Sequence, residues 1–167
     1  MMQEYLEFPV IIDIQRVINA DSIPDNELIE NWIKVSLLEE QGQTKKSIIN
    51  DQELTIRIVN KEEIQTLNKT YRHHDKTTNV LSFPFEIPAH LPPNIAVPLL
   101  GDIVICHDIV VEEAQQQGKK LLEHWAHMVV HGVLHLKAYN HIQDSDAQIM
   151  EALEIKILAQ LGFSNPY

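Results

Sequence analysis

The chain has 167 residues and a mass of 19.2 kDa, enough for one domain that buries a core without disulfides or a structural metal. Its 44% hydrophobic and 22% charged content is that of an ordinary soluble globular protein, and Cys106, the only cysteine, excludes an intramolecular disulfide and suits a reducing compartment. A formal net charge of -11 excludes a broad, nonspecific nucleic-acid binder, because phosphate contacts need cationic side chains, so any RNA or DNA site has to be a local basic patch.

No run reaches the length of a membrane span, and the N-terminal residues lack the charged-then-apolar pattern of a signal peptide. A cytoplasmic protein without a membrane partner is expected. Residues 10–14 are a β-branched run suited to a first strand. The stretch Ser22-Ile23-Pro24-Asp25 starts a helix whose apolar positions, among them Leu28, Ile29, Trp32 and Ile33, continue up to Gly42. Residues 43–51, with Lys45-Lys46, read as a polar loop.

Residues 54–59 alternate as a half-buried strand does. Asn60 followed by Glu63 predicts an N-cap with a capping-box partner, opening a helix from Lys61 to about Tyr71. Residues 72–79, Arg72-His73-His74-Asp75-Lys76-Thr77-Thr78-Asn79, are too polar for a core element and are a second place to look for chemistry. A strand over residues 79–85 is ended by Pro84, and residues 86–98 form a Pro-rich crossing, either a lid or a passive surface loop. A strand over residues 99–106 is interrupted by Gly101-Asp102. Three helices follow, over 108–117 with Gly118 as C-cap, over 121–136, and over 144–161 ended by Gly162. On this last helix Glu151 and Glu154 read as a solvated face or salt-bridge partners. No repeat or linker interrupts the pattern. The order predicts an α+β fold in a single domain, residues 1–167, with a mixed, roughly four-stranded sheet packed with helices.

The helix over 121–136 carries His131 and His135, followed by His141, in the spacing H-x₃-H-x₅-H. Residues four apart lie on one helix face about a turn apart, so both rings can meet one ion. His127 also lies four before His131, but it is separated from His135 by about 12 Å of helix rise, too far to complete the same small coordination sphere. The third ligand then comes from beyond the helix end, and His141 fits if residues 137–140 turn back. Three neutral imidazoles leave a fourth tetrahedral position for water, the arrangement of a catalytic rather than a structural zinc. His124 and His127 share this helix as core groups or as groups supporting the ligands.

The stretches Leu67-Asn68-Lys69-Thr70-Tyr71-Arg72, Asp75-Lys76-Thr77-Thr78-Asn79-Val80-Leu81-Ser82-Phe83-Pro84, Leu100-Gly101-Asp102-Ile103-Val104-Ile105 and His131-Gly132-Val133-Leu134-His135-Leu136 carry a resemblance. In this order they resemble the YbeY family of bacterial endoribonucleases, over a region running from roughly the second strand to the C-terminus. The resemblance implies a single-domain α+β metalloprotein holding one Zn²⁺ ion. It implies a single-strand-specific endoribonuclease in ribosomal RNA processing, including maturation of the small-subunit 3′ end, with a link to ribosome quality control. Its partners would be single-stranded ribosomal RNA and the ribosome or small-subunit assembly proteins, with no DNA expected. Carried over, His131, His135 and His141 match the family's metal ligands and Arg72 its functionally important arginine.

Two positions depart from the family pattern, Ala138 where Gly is usual and Asn140 where Asp is usual. Alanine in a left-handed helix end costs about 1 kcal/mol or more. Asparagine can accept a hydrogen bond from an imidazole but brings no charge, so these two changes bear on metal affinity rather than on ligand identity.

In this reading Arg72 stabilises charge developing on a phosphate whose oxygen is polarised, or whose attacking water is activated, by the metal; its planar fork suits two phosphate oxygens. Lys61, Lys69 and Lys76 are candidates for a local basic patch, and Tyr71 and Tyr139 for stacking on an unpaired base. Two other readings compete. A zinc peptidase also uses two His at i and i+4, but it requires H-E-x-x-H, and Gly132 stands where its Glu would be, leaving Asp102 or Glu123 to substitute. A non-catalytic ribosome assembly factor stapled by its metal would close the fourth position with a side chain such as His107 or His127.

Overall fold

Alternating apolar and polar residues build four strands, β1 (Val10–Arg16), β2 (Gln52–Val59), β3 (Val80–Pro84) and β4 (Leu99–Cys106), in the computed structural model, which describes residues 10–40, 52–92 and 98–167. They form one mixed sheet in the order β1-β2-β4-β3. β2 runs parallel to both β1 and β4, whereas β3 pairs antiparallel with β4 and lies at an edge. Five helices accompany it among the described residues: α1 (Asn26–Glu40), α2 (Lys61–Arg72), α3 (His107–Gln117), α4 (Leu121–Leu136) and α5 (Asp144–Gln160). This is the α+β architecture that the order of patterns predicts. The expected loop over 43–51 lies outside the described residues, as do residues 93–97 of the Pro-rich crossing.

The period of two divides each strand between two faces. Ile56 and Ile58 of β2 and Ile103 and Ile105 of β4 point to one side, where they share the main core with Trp32, Leu37, Trp125, Val129 and Leu134 of α1 and α4. Val59, Leu81, Val104 and Cys106 point to the other side and pack with Ile64 of α2 in a smaller cluster. α4 touches β3, β4, α1, α3 and α5. A helix surrounded in this way has to be apolar over most of its surface, and the exception is one line of imidazoles, His124, His127, His131 and His135, at spacings of three and four. Gly132 lies close against the sheet: a Cβ there would stand 2.8 Å from Ile103 Cγ2.

Three local details differ from the sequence-based picture or sharpen it. Asn60 Oδ1 accepts the Glu63 backbone N–H at 2.9 Å, as an N-cap should. The reciprocal half of the capping box is replaced, because the Glu63 carboxylate is held by the Arg57 guanidinium through two hydrogen bonds, at 2.6 and 3.2 Å. Gly101-Asp102 does not break β4. The pairing of β2 with β4 shifts register there, and Gly101 absorbs the bulge at φ 135, with the Phe83 carbonyl oxygen 2.2 Å from where a Cβ would be.

Candidate metal centre

His131 and His135 occupy adjacent turns at the C-terminal end of α4, with their Nε2 atoms 2.9 Å apart and their rings inclined at 78°. The helix ends immediately afterwards. Ala138 N–H donates to the His135 carbonyl and Tyr139 N–H to the Leu134 carbonyl, both at 3.0 Å, and Ala138 is left-handed at φ 72. These are the two bonds of a Schellman motif, formed around an alanine. Asn140 Oδ1 then accepts the Ile142 N–H at 3.1 Å, so this side chain shapes the turn instead of bonding an imidazole. The chain doubles back as the sequence requires. The His141 ring comes to rest 5.2 Å from that of His135 and 5.8 Å from that of His131, centroid to centroid.

One ring nitrogen from each of His131, His135 and His141 lies within 4.8 Å of the others. Donor type and geometry fit a tetrahedral N-liganding ion such as zinc, whose ligands at about 2.0–2.1 Å would stand about 3.3 Å apart. Burial, then the neighbouring His131 and His141, push the His135 imidazole down to about 4, so it is neutral and a competent ligand near pH 7. The Tyr139 backbone hydrogen-bonds the His135 ring; because its N–H is already engaged with Leu134, the carbonyl is the group available. His141 is exposed, so the cluster opens towards solvent on that side.

A second group, His127, His131 and Glu154, also brings three potential ligand atoms within 4.8 Å. Glu154 is 1% exposed, so of its two expected roles it takes that of a salt-bridge partner and not that of a solvated face. Its partners come from elsewhere in the chain: His127 Nε2 at 2.6 Å, His131 Nδ1 at 3.4 Å, and the Tyr167 hydroxyl, which donates to Oε1 at 2.9 Å. Burial raises the carboxyl's pKa, but the hydrogen bonds and charges of His127 and His131 together outweigh it and bring the group to about 2. Burial and the facing Glu154 charge push the Tyr167 phenol well above its usual range.

Of the other histidines, His107 and His124 have structural partners. Trp125 Nε1–H donates to His107 Nδ1 at 3.0 Å, so the His107 proton sits on Nε2 and is donated to Ser22 Oγ at 2.8 Å. His124 Nε2 lies 2.9 Å from Glu113, whose carboxylate also accepts from the Asn79 amide. His73 closes α2 in a left-handed C-cap and is exposed, as is His74.

Arg72 ends α2 on the opposite face of the sheet from α4. Its Nη2 donates to the Ser82 carbonyl at 2.6 Å, and its guanidinium lies 5.1 Å from the Phe83 ring, against which Tyr71 packs edge-on. Ser82 Oγ in turn donates to the Gly132 carbonyl at 3.1 Å. Edge strand β3 therefore ties Arg72 to the residue that follows His131. Of the proposed basic patch, Lys61 is paired with Glu112, Lys69 faces Asp75 at 3.8 Å, and Lys76 is exposed. Tyr139 packs against the main core, while Tyr71 is 59% exposed. Wider clefts, about 480 and 590 Å³, lie on the sheet face away from α4, and Asp13, Glu53, Glu63, Glu86 and Asp102 line them. The larger cleft is acidic and repels phosphate, whereas the smaller one also holds Arg57, paired with Glu63, and the Tyr71 and Phe83 rings beside Arg72.

Fold and site together define an α+β protein with imidazoles gathered at the end of a buried helix. The chain belongs to the YbeY family of endoribonucleases: the family model, described as Endoribonuclease YbeY, matches residues 13–162. A relative from Colwellia psychrerythraea named Endoribonuclease YbeY is 48% identical over 157 residues, covering 94% of this chain and 96% of its own. Another of the same name, from Alcanivorax borkumensis, is 49% identical over 156 residues, covering 93% of this chain and 85% of its own. The solution structure of a Thermotoga maritima protein superimposes with a TM-score of 0.53 at 24% identity, covering 91% of this chain and 92% of that one, a likeness of fold.

Proposed function

We propose that this chain is a single-strand-specific, metal-dependent endoribonuclease of ribosomal RNA processing, acting in maturation of the small-subunit 3′ end and in ribosome quality control. One Zn²⁺ would be held by His131, His135 and His141. The observation that carries this reading is the convergence of those three rings on the solvent side of α4, one residue from the point where β3 connects to Arg72. Bound there, the ion would supply Lewis-acid polarisation of a phosphoryl oxygen or activation of the attacking group. Arg72, with Nη2 fixed on Ser82 and its plane resting on Phe83, keeps its other N–H groups for a phosphate and stabilises the charge that develops on it. Exposed Tyr71 beside it offers a face for an unpaired base, a contact that favours single strands. Ribosomal RNA, the ribosome and small-subunit assembly proteins are the proposed partners, in the cytoplasm. Among the described residues no helix is long and apolar enough to cross a membrane.

The side chains that would close the fourth position in a non-catalytic staple have other partners. His107 is engaged with Ser22 and Trp125, and His127 with Glu154, which supports the open, catalytic reading. For a peptidase, Asp102 faces the clefts on the far side of the sheet, not the cluster.

The test is cleavage of single-stranded against duplex RNA by zinc-loaded protein, with His135→Ala as the control. Metal-dependent cleavage of the single strand that the variant lacks is expected; equal cleavage by both proteins, or none by either, overturns the proposal. A scissile 2′-deoxy sugar identifies the nucleophile. Cleavage stops if the RNA's own 2′-hydroxyl attacks and persists if water does.

A further inference from the structure

The contacts behind His131 are not used by the mechanism above. Glu154 is buried in α5, and a carboxylate so placed persists only where donors surround it. It has three: His127 Nε2, His131 Nδ1 and the Tyr167 hydroxyl. The segment bearing Tyr167 is strapped across α4. Lys119 Nζ donates to the Pro166 carbonyl at 2.7 Å, and the Tyr167 ring meets His127 edge-on at 5.5 Å and 83°.

His131 uses its two ring nitrogens in opposite directions, Nδ1 towards Glu154 and Nε2 towards His135. An ionised carboxylate only accepts hydrogen bonds, so the proton of the neutral ring belongs on Nδ1, and Nε2 keeps the lone pair a metal needs. The same logic puts the His127 proton on Nε2, donated to Glu154, which removes that nitrogen as a ligand. At 2.6 Å the His127–Glu154 contact has the length of a charge-assisted hydrogen bond.

We infer that Glu154, clamped by Tyr167 and His127, is the positioning residue of the metal centre: it fixes His131 in the Nδ1–H tautomer and aims its Nε2 at the point shared with His135 and His141. The group formed by His127, His131 and Glu154 is then the support of the first cluster, not a second ion site. This rests on the reading that His131, His135 and His141 hold the ion.

The experiment measures zinc affinity of the full chain by chelator competition for wild type, Glu154→Gln, Tyr167→Phe and His135→Ala. It also reads the His131 tautomer in the metal-free protein by long-range ¹H–¹⁵N correlation, and the melting temperature in chelator. Loss of a partner of this kind lowers metal affinity by about ten- to a hundredfold, and that is the result expected for Glu154→Gln, with a smaller loss for Tyr167→Phe. In the wild type His131 is expected as Nδ1–H, shifting to mixed tautomers in Glu154→Gln. A purely structural role would lower the metal-free melting temperature without moving affinity or tautomer. Wild-type affinity in both variants, or a His131 proton on Nε2 in the wild type, overturns the inference. If Glu154→Gln does not fold, Tyr167→Phe decides, because it leaves the carboxylate in place. Failure of the wild type to bind zinc removes the ligand reading itself, whereas zinc binding that is lost in His135→Ala but intact in Glu154→Gln and Tyr167→Phe removes this inference alone.

Discussion

Replacing Ala138 with glycine should stabilise the protein, although it deletes a methyl group just past the end of α4. Ala138 sits at φ 72, where a Cβ crowds its own backbone and costs about 1–2 kcal/mol. Glycine removes that strain but makes the unfolded chain more flexible, which takes back about 0.4–1 kcal/mol. The difference is a gain of about 0.5–1 kcal/mol, and for a chain of this size that corresponds to a rise of about 1–4 °C in melting temperature. The molecule contains its own control. Gly118 closes α3 in the same conformation, φ 66, and a Cβ added there would meet nothing within 4 Å. Gly118→Ala therefore carries the backbone term alone and should lower the melting temperature by a similar amount. Both are measured by thermal unfolding in chelator, so that bound metal does not contribute. If Gly118→Ala destabilises while Ala138→Gly leaves the melting temperature unchanged or lowers it, residue 138 is not left-handed and the turn that delivers His141 is wrong.

In the proposed reaction Arg72→Ala should reduce turnover about 10²–10³-fold with zinc affinity unchanged, and Arg72→Lys should recover little, because an ammonium lacks the planar fork; near-normal turnover in either variant refutes the role. Gly132→Ala pushes a methyl to 2.8 Å from Ile103 Cγ2, an overpacking cost of about 1–3 kcal/mol offset by about 1 kcal/mol of helix propensity, so its urea midpoint should fall. A raised midpoint contradicts the close approach of α4 to β4. Burial holds the His107 and His124 imidazoles below the ordinary histidine value of 6.5. Above that pH both states are neutral and stability is full. As pH falls through and below 6.5 the unfolded chain takes up protons that the folded one refuses, so urea stability in chelator should decline, and decline less in His107→Gln; a flat profile, or one unchanged by the substitution, refutes it.

Elements whose signals are local were legible in the sequence. The β-branched and alternating runs gave the strands, Asn60 and Gly118 marked helix ends, and the four-residue step from His131 to His135 is a statement about one helix that needs nothing beyond it. His141 was readable because a turn of four residues is a short extrapolation. Glu154 was not: its donors come from α4 and from the segment after α5, so nothing in the neighbourhood of residue 154 marks it as buried rather than solvated. Glu63 shows the same limit on a smaller scale. Its spacing from Asn60 predicts a reciprocal cap, but Arg57, brought alongside by the fold, takes the carboxylate. Gly101 reads as an interruption because glycine is a poor strand residue; only the pairing with β2 and β3 reveals that it lets β4 run through a bulge. The bridge from Arg72 to α4 depends on a main-chain carbonyl and a serine hydroxyl in β3, groups that carry no pattern.

The contact between Gly132 and Ile103 also constrains what this scaffold can become. One substitution, Gly132→Glu, would write H-E-x-x-H into α4 and supply the general base that a zinc peptidase uses. The space for that carboxylate is already filled: the first atom of any side chain at 132 would collide with a fully buried isoleucine on β4. To gain the peptidase's base the chain would have to carve room in the sheet or lift the helix, and lifting the helix would pull the Gly132 carbonyl off Ser82 and loosen the tie to Arg72. Neighbouring sequences with the peptidase signature are therefore separated from this one by a packing barrier, although a single codon's worth of chemistry divides them.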